Sequence, residues 1–181
     1  MNEKQILNQN NYNMAVKKIL ALLIVFALAA PFAGAKKNDD GLVPQYQLEG
    51  AGMTSQNAQQ VLVTIVTKKK DQVTEDDLQK AAVHGVLFRN YDDVTNAGYG
   101  TVMSRKAIMD SPTAEAEYID FFEPFFKNGD YSKYVQLVSD SKRVVKSGKE
   151  WKVSAIVRVN VSALKKDLKK QGMVKDLGSG W

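Results

Sequence analysis

The segment WKVSAIVRVNV, residues 151–161, alternates apolar and polar side chains through eleven positions. The apolar set is Trp151, Val153, Ala155, Val157, Val159 and Val161, and the other set includes Lys152, Ser154, Arg158 and Asn160. A period of two indicates a β-strand with one buried face. The turn SGKE joins this strand to the preceding YVQLVSDSKRVVK, which predicts a long antiparallel hairpin. The chain therefore needs a layer that covers one face of a sheet.

Two more strands are predicted near the start of the folded part. They run from Tyr46 to about Gly50 and from Gln60 to Lys68, and a connection rich in Gly, Ser and Asn joins them. The second strand carries apolar residues on both alternating faces: Val61, Leu62, Val63, Ile65 and Val66. This pattern favours a central strand that is covered on both sides, or on most of one.

A first helix is predicted from Thr74 onward. Thr74 and Asp77 have the spacing of a capping box, and acidic residues in the first turn suit the helix dipole. One face of this helix carries small or apolar residues that allow a close approach to a sheet: Leu78, Ala81, Ala82 and Gly85. The only histidine of the chain, His84, lies on the flank of that face.

Seven of the sixteen aromatic residues lie in EYIDFFEPFFKNGDYSKYV, residues 117–135. We expect a helix with Ser111 as N-cap and Pro112 at its first position, ended by Asn128-Gly129 and kinked or split at Pro124. Its aromatic stripe has helical spacing and comprises Tyr118, Phe121, Phe122, Phe125 and Phe126. The stripe is interpreted as a core face packed on the sheet, with a groove rim or partner surface as the alternative.

The last helix is predicted from a cap at Ser162 to a stop at Gly172. Leu164 and Leu168 face inward, and four lysines face outward. The element order is then β-β-α-α-β-β-α. It predicts an α+β fold, a two-layer sandwich in which an antiparallel sheet of about four strands carries its helices mainly on one face.

The N-terminal region has the pattern of a secretory signal peptide, residues 1–35. Lys17 and Lys18 precede an apolar run from Ile19 to Ala30, and small residues stand at Ala33 and Ala35. We expect cleavage after Ala35, translation from Met14, a flexible lead over 36–45, one domain over 46–177 and a tail over 178–181. The predicted location is periplasmic or secreted, and a chain without cysteine is not expected to be a lipoprotein or to hold disulfides.

Charge and composition argue against several classes of protein. Without residues 1–35 the chain carries 22 basic and 19 acidic residues, a net charge of +3, which does not favour nucleic-acid binding. No other apolar stretch has the length of a membrane span, so no stable membrane insertion is expected. One histidine and no cysteine do not favour zinc, and no phosphate loop is present, so no cofactor or metal is predicted. A catalytic triad would need His84, which lacks a G-x-S-x-G serine.

Residues 90–111 are predicted to be a long loop with one short extended piece near Thr101 to Met103. Loops of this length often carry function. The favoured interpretation is an exported, non-catalytic envelope protein that binds a protein, glycan or lipid partner. The candidate partner surface consists of four tyrosines: Tyr91, Tyr99, Tyr131 and Tyr134. The alternative is a small periplasmic hydrolase with its site in the 90–111 loop.

Three segments carry a resemblance to a known group of proteins: KAAVHGVLFRNY, YIDFFEPFFKNGDYSKYV and WKVSAIVRVNVSALKKDLKKQG. Together they resemble a family of small, uncharacterised exported proteins of Bacteroidetes, over most of residues 46–175. The shared features are a helix that ends in a GVLF-type run, a double-Phe helix before a Gly turn, and a terminal strand and helix. The resemblance implies a fold and carries no activity or site residue.

Overall fold

The computed structural model describes residues 43–55, 57–93 and 103–174. The predicted signal peptide 1–35, most of the lead 36–45, Tyr99 and the tail 178–181 lie outside these ranges. The described strands are β1 (Tyr46–Ser55), β2 (Ala58–Thr67), β3 (Tyr91–Asp93), β4 (Met103–Arg105), β5 (Val135–Leu137), β6 (Arg143–Ser147) and β7 (Glu150–Val159). The described α-helices are α1 (Glu75–Phe88), α2 (Ala114–Glu117), α3 (Ile119–Lys127) and α4 (Val161–Lys170). Short 3₁₀ segments occupy Lys70–Gln72 and Asp130–Tyr134.

The fold is α+β, as predicted, but the sheet is larger than expected. Its seven described strands have the order β4-β3-β1-β2-β7-β5, and β6 also pairs with β7. The sheet is mixed because β3 runs parallel to β1, with Gly50 opposite Asp93, whereas the other pairs are antiparallel. The predictions of about four strands and of an antiparallel sheet were wrong. The chain returns through α1 to the far edge of the sheet, where it adds β3 and β4. These strands were not predicted because strands of three residues are too short to show a period of two.

The centre of the sheet is the long pairing of β2 with β7, which runs from Gln59 opposite Val159 to Thr67 opposite Trp151. The inward residues of both strands are fully or almost fully buried: Val61, Val63, Ile65, Val153, Ala155, Val157 and Val159. Leu62 and Val66, on the other face, are only half-buried. The central position predicted for β2 is confirmed, and the core covers one of its faces.

Helix α1 begins as the sequence predicts. Thr74 and Asp77 form a complete capping box, in which the Thr74 side chain accepts a bond from the Asp77 N–H and the Asp77 carboxylate accepts one from the Thr74 N–H. The small face lies close to β1, since a Cβ atom built at Gly85 would be 2.5 Å from Leu48 Cδ2. His84 is itself buried, because α2 and α3 cover the side of α1 on which it lies.

The aromatic segment forms two helices, α2 and α3, and the break lies at Tyr118 (φ −113°, ψ 31°) rather than at Pro124. Helix α3 continues through Pro124. The proline removes only one hydrogen bond, the one that an N–H at this position would donate to the carbonyl of the exposed Asp120. The predicted N-cap also moves, because α2 begins at Ala114 and the Ser111 hydroxyl accepts a bond from the Thr113 N–H.

The aromatic face of α3 is core, as expected, with Phe122, Phe125 and Phe126 buried. Its neighbours differ from those predicted. The rings contact Phe88 of α1 and Tyr131 of the 3₁₀ segment, so the aromatic face joins the helical elements to each other.

The C-terminal hairpin and helix follow the prediction in most respects. The strand before the SGKE turn is divided into β5 and β6, which pair with opposite ends of β7. The N-cap of helix α4 is Asn160, two residues before the predicted Ser162. Leu164 and Leu168 are buried and Gly172 adopts a positive φ of 74° just past the helix end. In the described part of the chain, no helix has the length and apolar character needed to cross a membrane.

Candidate functional site

The structure places three of the four candidate tyrosines in the core. Tyr131 is 1 % exposed, and Tyr91 and Tyr134 are each 6 % exposed, so their rings offer little surface to a partner. Each hydroxyl reaches a polar side chain: Tyr91 donates to Gln59, Tyr131 to Asp76 and Tyr134 to Asp167. A tyrosine in this position buries its ring and directs its hydroxyl to the edge of the core. Tyr99 lies outside the described residues.

The described parts of the 90–111 segment form the antiparallel pair of β3 and β4 and a short return to α1. Asp93 is 3 % exposed, and Arg105 Nη2 lies 3.3 Å from its Oδ2. Burial raises the pKa of the Tyr91 hydroxyl beside them to about 12. Ile108 and Met109 are buried against the end of α1 through backbone bonds to Val86 and Leu87. Asp93 and Arg105 therefore pair with each other, and Tyr91 pairs with Gln59 of β2.

A second polar cluster links β1, α1 and α2. The Tyr46 hydroxyl lies 2.6 Å from His84 Nδ1, and His84 Nε2 lies 2.9 Å from Glu115 Oε1. A neutral imidazole that carries its proton on Nε2 satisfies both contacts, because Nδ1 then accepts from Tyr46 and Nε2 donates to the carboxylate. Burial raises the pKa of Tyr46, which keeps its hydroxyl a donor. The cluster holds three elements together and buries its histidine without an unsatisfied nitrogen.

The hydrogen bond from His84 lowers the pKa of Glu115 below its usual value of 4.5. A lowered pKa in the folded state contributes stability that is present above the unfolded value and is lost as the pH falls through the folded value. We expect Glu115→Gln to lower the free energy of unfolding at neutral pH by about 0.5–1 kcal/mol, since the side chain is half exposed. Urea melts at pH 7 and at a series of lower pH values should show this difference become smaller as the pH falls below 4.5.

Glu123→Gln is the matched control for this prediction, because Glu123 is exposed on α3 and the same charge is removed. It is expected to leave the free energy of unfolding unchanged at every pH of the series. A loss of stability for Glu115→Gln that stays constant as the pH falls below 4.5 would show that the contact with His84 does not depend on the charge of the carboxylate.

A cleft of ≈ 480 Å³ lies between α3, the Asp130–Tyr134 segment and α4. Its floor consists of core side chains that are almost fully buried: Phe125, Tyr134, Leu164 and Leu168. Phe121 also lines the cleft and is half-buried, so part of its ring remains accessible. The polar lining comprises Asp120, Asp130, Lys133, Asp167, Lys170 and Gln171. The cleft thus combines an aromatic ring with three carboxylates, two ammonium groups and an amide.

Three charged side chains of the cleft, Lys133, Asp167 and Lys170, lie in one network around Tyr134. The Tyr134 hydroxyl donates to Asp167 Oδ2 at 2.8 Å, and Lys170 Nζ donates to the other carboxylate oxygen at 3.2 Å. Lys133 Nζ lies 5.0 Å from the centre of the Tyr134 ring. The bond from Tyr134 lowers the pKa of Asp167, which keeps this carboxylate ionised. A polar ligand would therefore meet oriented donors and acceptors.

Among the residues that line this cleft, only Tyr134 was predicted from the sequence to be a site residue. Asp167 and Lys133 were missed, since each reads as an ordinary surface charge. Asp167 lies three positions after Leu164 and one before Leu168, both on the inward face of α4, and this spacing is the signal that could have placed it at the edge of the core. Nothing local indicates that Phe121 of another helix lies beside it.

The described residues contain no group of three or more His, Asp or Glu side chains arranged to hold a metal ion. The comparisons with protein families, with curated proteins and with solved structures find no match to this chain. The resemblance to the exported Bacteroidetes proteins stays a prediction.

Proposed function

We propose that the chain is an exported, non-catalytic module of the cell envelope that binds a glycan in the cleft between α3 and α4. One observation carries the proposal: a partly exposed aromatic ring, Phe121, lies in a concave site with three carboxylates and two lysines. A sugar presents an apolar C–H face and a ring of hydroxyl groups, so it needs both kinds of contact. Small-ligand sites are concave and of this order of volume, whereas protein interfaces are larger and flatter.

The polar groups of the cleft suit sugar hydroxyls. Carboxylates are acceptors only, and ammonium groups are donors only, so Asp120, Asp167 and Lys170 offer both roles to a hydroxyl, which is itself donor and acceptor. Asp167 is held in place by Tyr134 and Lys170, which reduces the side-chain entropy lost on binding.

Export is supported by the sequence alone. The basic pair Lys17-Lys18, the apolar run after it and the small residues Ala33 and Ala35 have the order of a secretory signal. Envelope glycans are found in the compartment to which such a signal leads. The alternative, a hydrolase with its site in residues 90–111, has less support, because the described Asp93 and Arg105 are engaged with each other.

Calorimetric titration of the purified protein with soluble peptidoglycan disaccharide fragments and with chitooligosaccharides tests the proposal. We expect binding of one of these glycans, and we expect Phe121→Ala and Asp167→Asn each to weaken it at least about tenfold through lost ring contact and lost acceptors. The control is Ile119→Ala, which removes an apolar side chain that is 43 % exposed on the same helix but does not line the cleft.

The proposal fails if neither class of glycan binds, or if the cleft variants bind as tightly as the native protein. It also fails if Ile119→Ala loses as much affinity as Phe121→Ala, since the binding surface would then lie elsewhere on α3.

A further inference from the structure

Strand β6 forms an edge of the sheet and is unusual for an edge because it carries two exposed valines. Among described strands it pairs only with β7. Val144 is 44 % exposed and Val145 is 55 % exposed, and they are two of the three large apolar side chains that are exposed in the described ranges. Because successive side chains of a strand point to opposite faces, the two valines lie on the two faces of this edge. An added strand can therefore make an apolar contact with β6 on either face of the sheet.

The backbone of β6 leaves hydrogen-bonding groups directed outward. Ser147 is opposite Glu150 across a two-residue turn, and Gly148 in that turn has a φ of 63°. The pair that closes such a turn is hydrogen-bonded, and bonded and non-bonded pairs alternate along an antiparallel ladder. The N–H and C=O groups of Val144 and Lys146 are accordingly directed away from β7. They form the template to which a further strand adds.

Positive charge is concentrated around this edge. Residues 141–152 contain five basic residues and one acidic residue, a net charge of +4, compared with +3 for the whole of residues 36–181. The basic residues are Lys142, Arg143, Lys146, Lys149 and Lys152. Like charges oppose pairing of this edge with the same edge of a second copy, and opposite charges favour an acidic strand.

We propose that β6 accepts an extended, acidic segment of a protein partner by strand addition. The outward groups of Val144 and Lys146 supply the backbone bonds, and the valine on the face to which the segment directs its apolar side chains, Val144 or Val145, contacts them. Arg143 and Lys146 select acidic side chains. This surface is separate from the glycan cleft, so the two proposals are tested independently.

The probe is a fluorescein-labelled peptide of four Glu-Val repeats, and binding to the full chain is measured by fluorescence polarisation at an ionic strength of about 0.15 M. The control peptide has proline in place of every valine, which keeps the four carboxylates but cannot pair as a strand. We expect the proline peptide to bind at least about tenfold more weakly than the valine peptide, because backbone pairing supplies the affinity.

Three protein variants locate the site. The double change Arg143→Glu and Lys146→Glu should weaken binding at least about tenfold, and Lys165→Glu with Lys166→Glu, an equal change of charge on exposed positions of α4, should alter it less than about twofold. Val144→Pro removes one outward donor and keeps every charge, and it should also weaken binding. Urea melts confirm that each variant is folded, and the charge variants carry the test if Val144→Pro is not.

Three outcomes would overturn the proposal. Equal affinity for both peptides would indicate simple attraction of a polyanion. An equal effect of the α4 changes would place the anion site elsewhere. Self-association of the protein in sedimentation, abolished by Val144→Pro, would show that a second copy is the occupant of the β6 edge.

Discussion

Phe122→Ala is expected to lower the free energy of unfolding by about 3–4 kcal/mol. Phe122 is 1 % exposed and belongs to the aromatic cluster, with its ring centre 4.8 Å from that of Phe88 and 5.1 Å from that of Phe121. Truncation removes a buried ring and leaves a cavity between α1 and α3, because neighbouring rings on two different helices cannot close the space. Urea unfolding at neutral pH measures the loss.

Phe125→Ala is expected to have a similar effect, since Phe125 is 5 % exposed and contacts Tyr131 and Tyr134. Ile119→Ala serves as the control on the same helix and should cost less than about 1 kcal/mol, because its side chain is already largely in solvent. A loss below about 1 kcal/mol for both phenylalanines would move the cluster from the core to the surface.

Gly50→Ala is expected to cost about 2–3 kcal/mol, because the added methyl group has no space. A Cβ atom at Gly50 would lie 2.6 Å from the Cα and 2.8 Å from the Cβ of Asp93, across the parallel pair of β1 and β3. The obstacle is backbone, so β3 must move away from β1. Such a shift would also disturb the ion pair between the buried Asp93 and Arg105.

Gly85→Ala is the matched comparison. There the nearest atom is Leu48 Cδ2 at 2.5 Å, the end of a flexible and half-buried side chain. Alanine also favours a helix over glycine by about 1 kcal/mol, which offsets the cost of moving Leu48. Unfolding of both variants in urea should rank Gly50→Ala as clearly the more damaging, and the opposite order would contradict the close approach of β3 to β1.

Several elements were predictable because their signals are local. The alternation in β7, the capping box of Thr74 and Asp77, and the stop at Gly172 each depend on residues within a few positions of each other. The core role of Phe122 follows in the same way from helical spacing. Each of these elements is specified by a short segment of the sequence.

The far edge of the sheet and the candidate sites were decided by contacts between distant parts of the chain. Three-residue strands such as β3 carry no readable period, and their pairing depends on where α1 returns the chain. Tyr134 and Asp167 are separated by 33 positions, and they define the cleft only after α4 packs beside the 3₁₀ segment.

The burial of the tyrosines also depends partly on the local sequence and partly on the tertiary structure. The sequence by itself determined that Tyr91, Tyr131 and Tyr134 are amphipathic, with an apolar ring and a polar tip. Only the tertiary structure decided that each ring enters the core, because each hydroxyl finds a partner on another element: Gln59, Asp76 and Asp167. Local sequence determines which side chains can be buried, whereas the position of a hydrogen-bond partner across the fold determines which of them are.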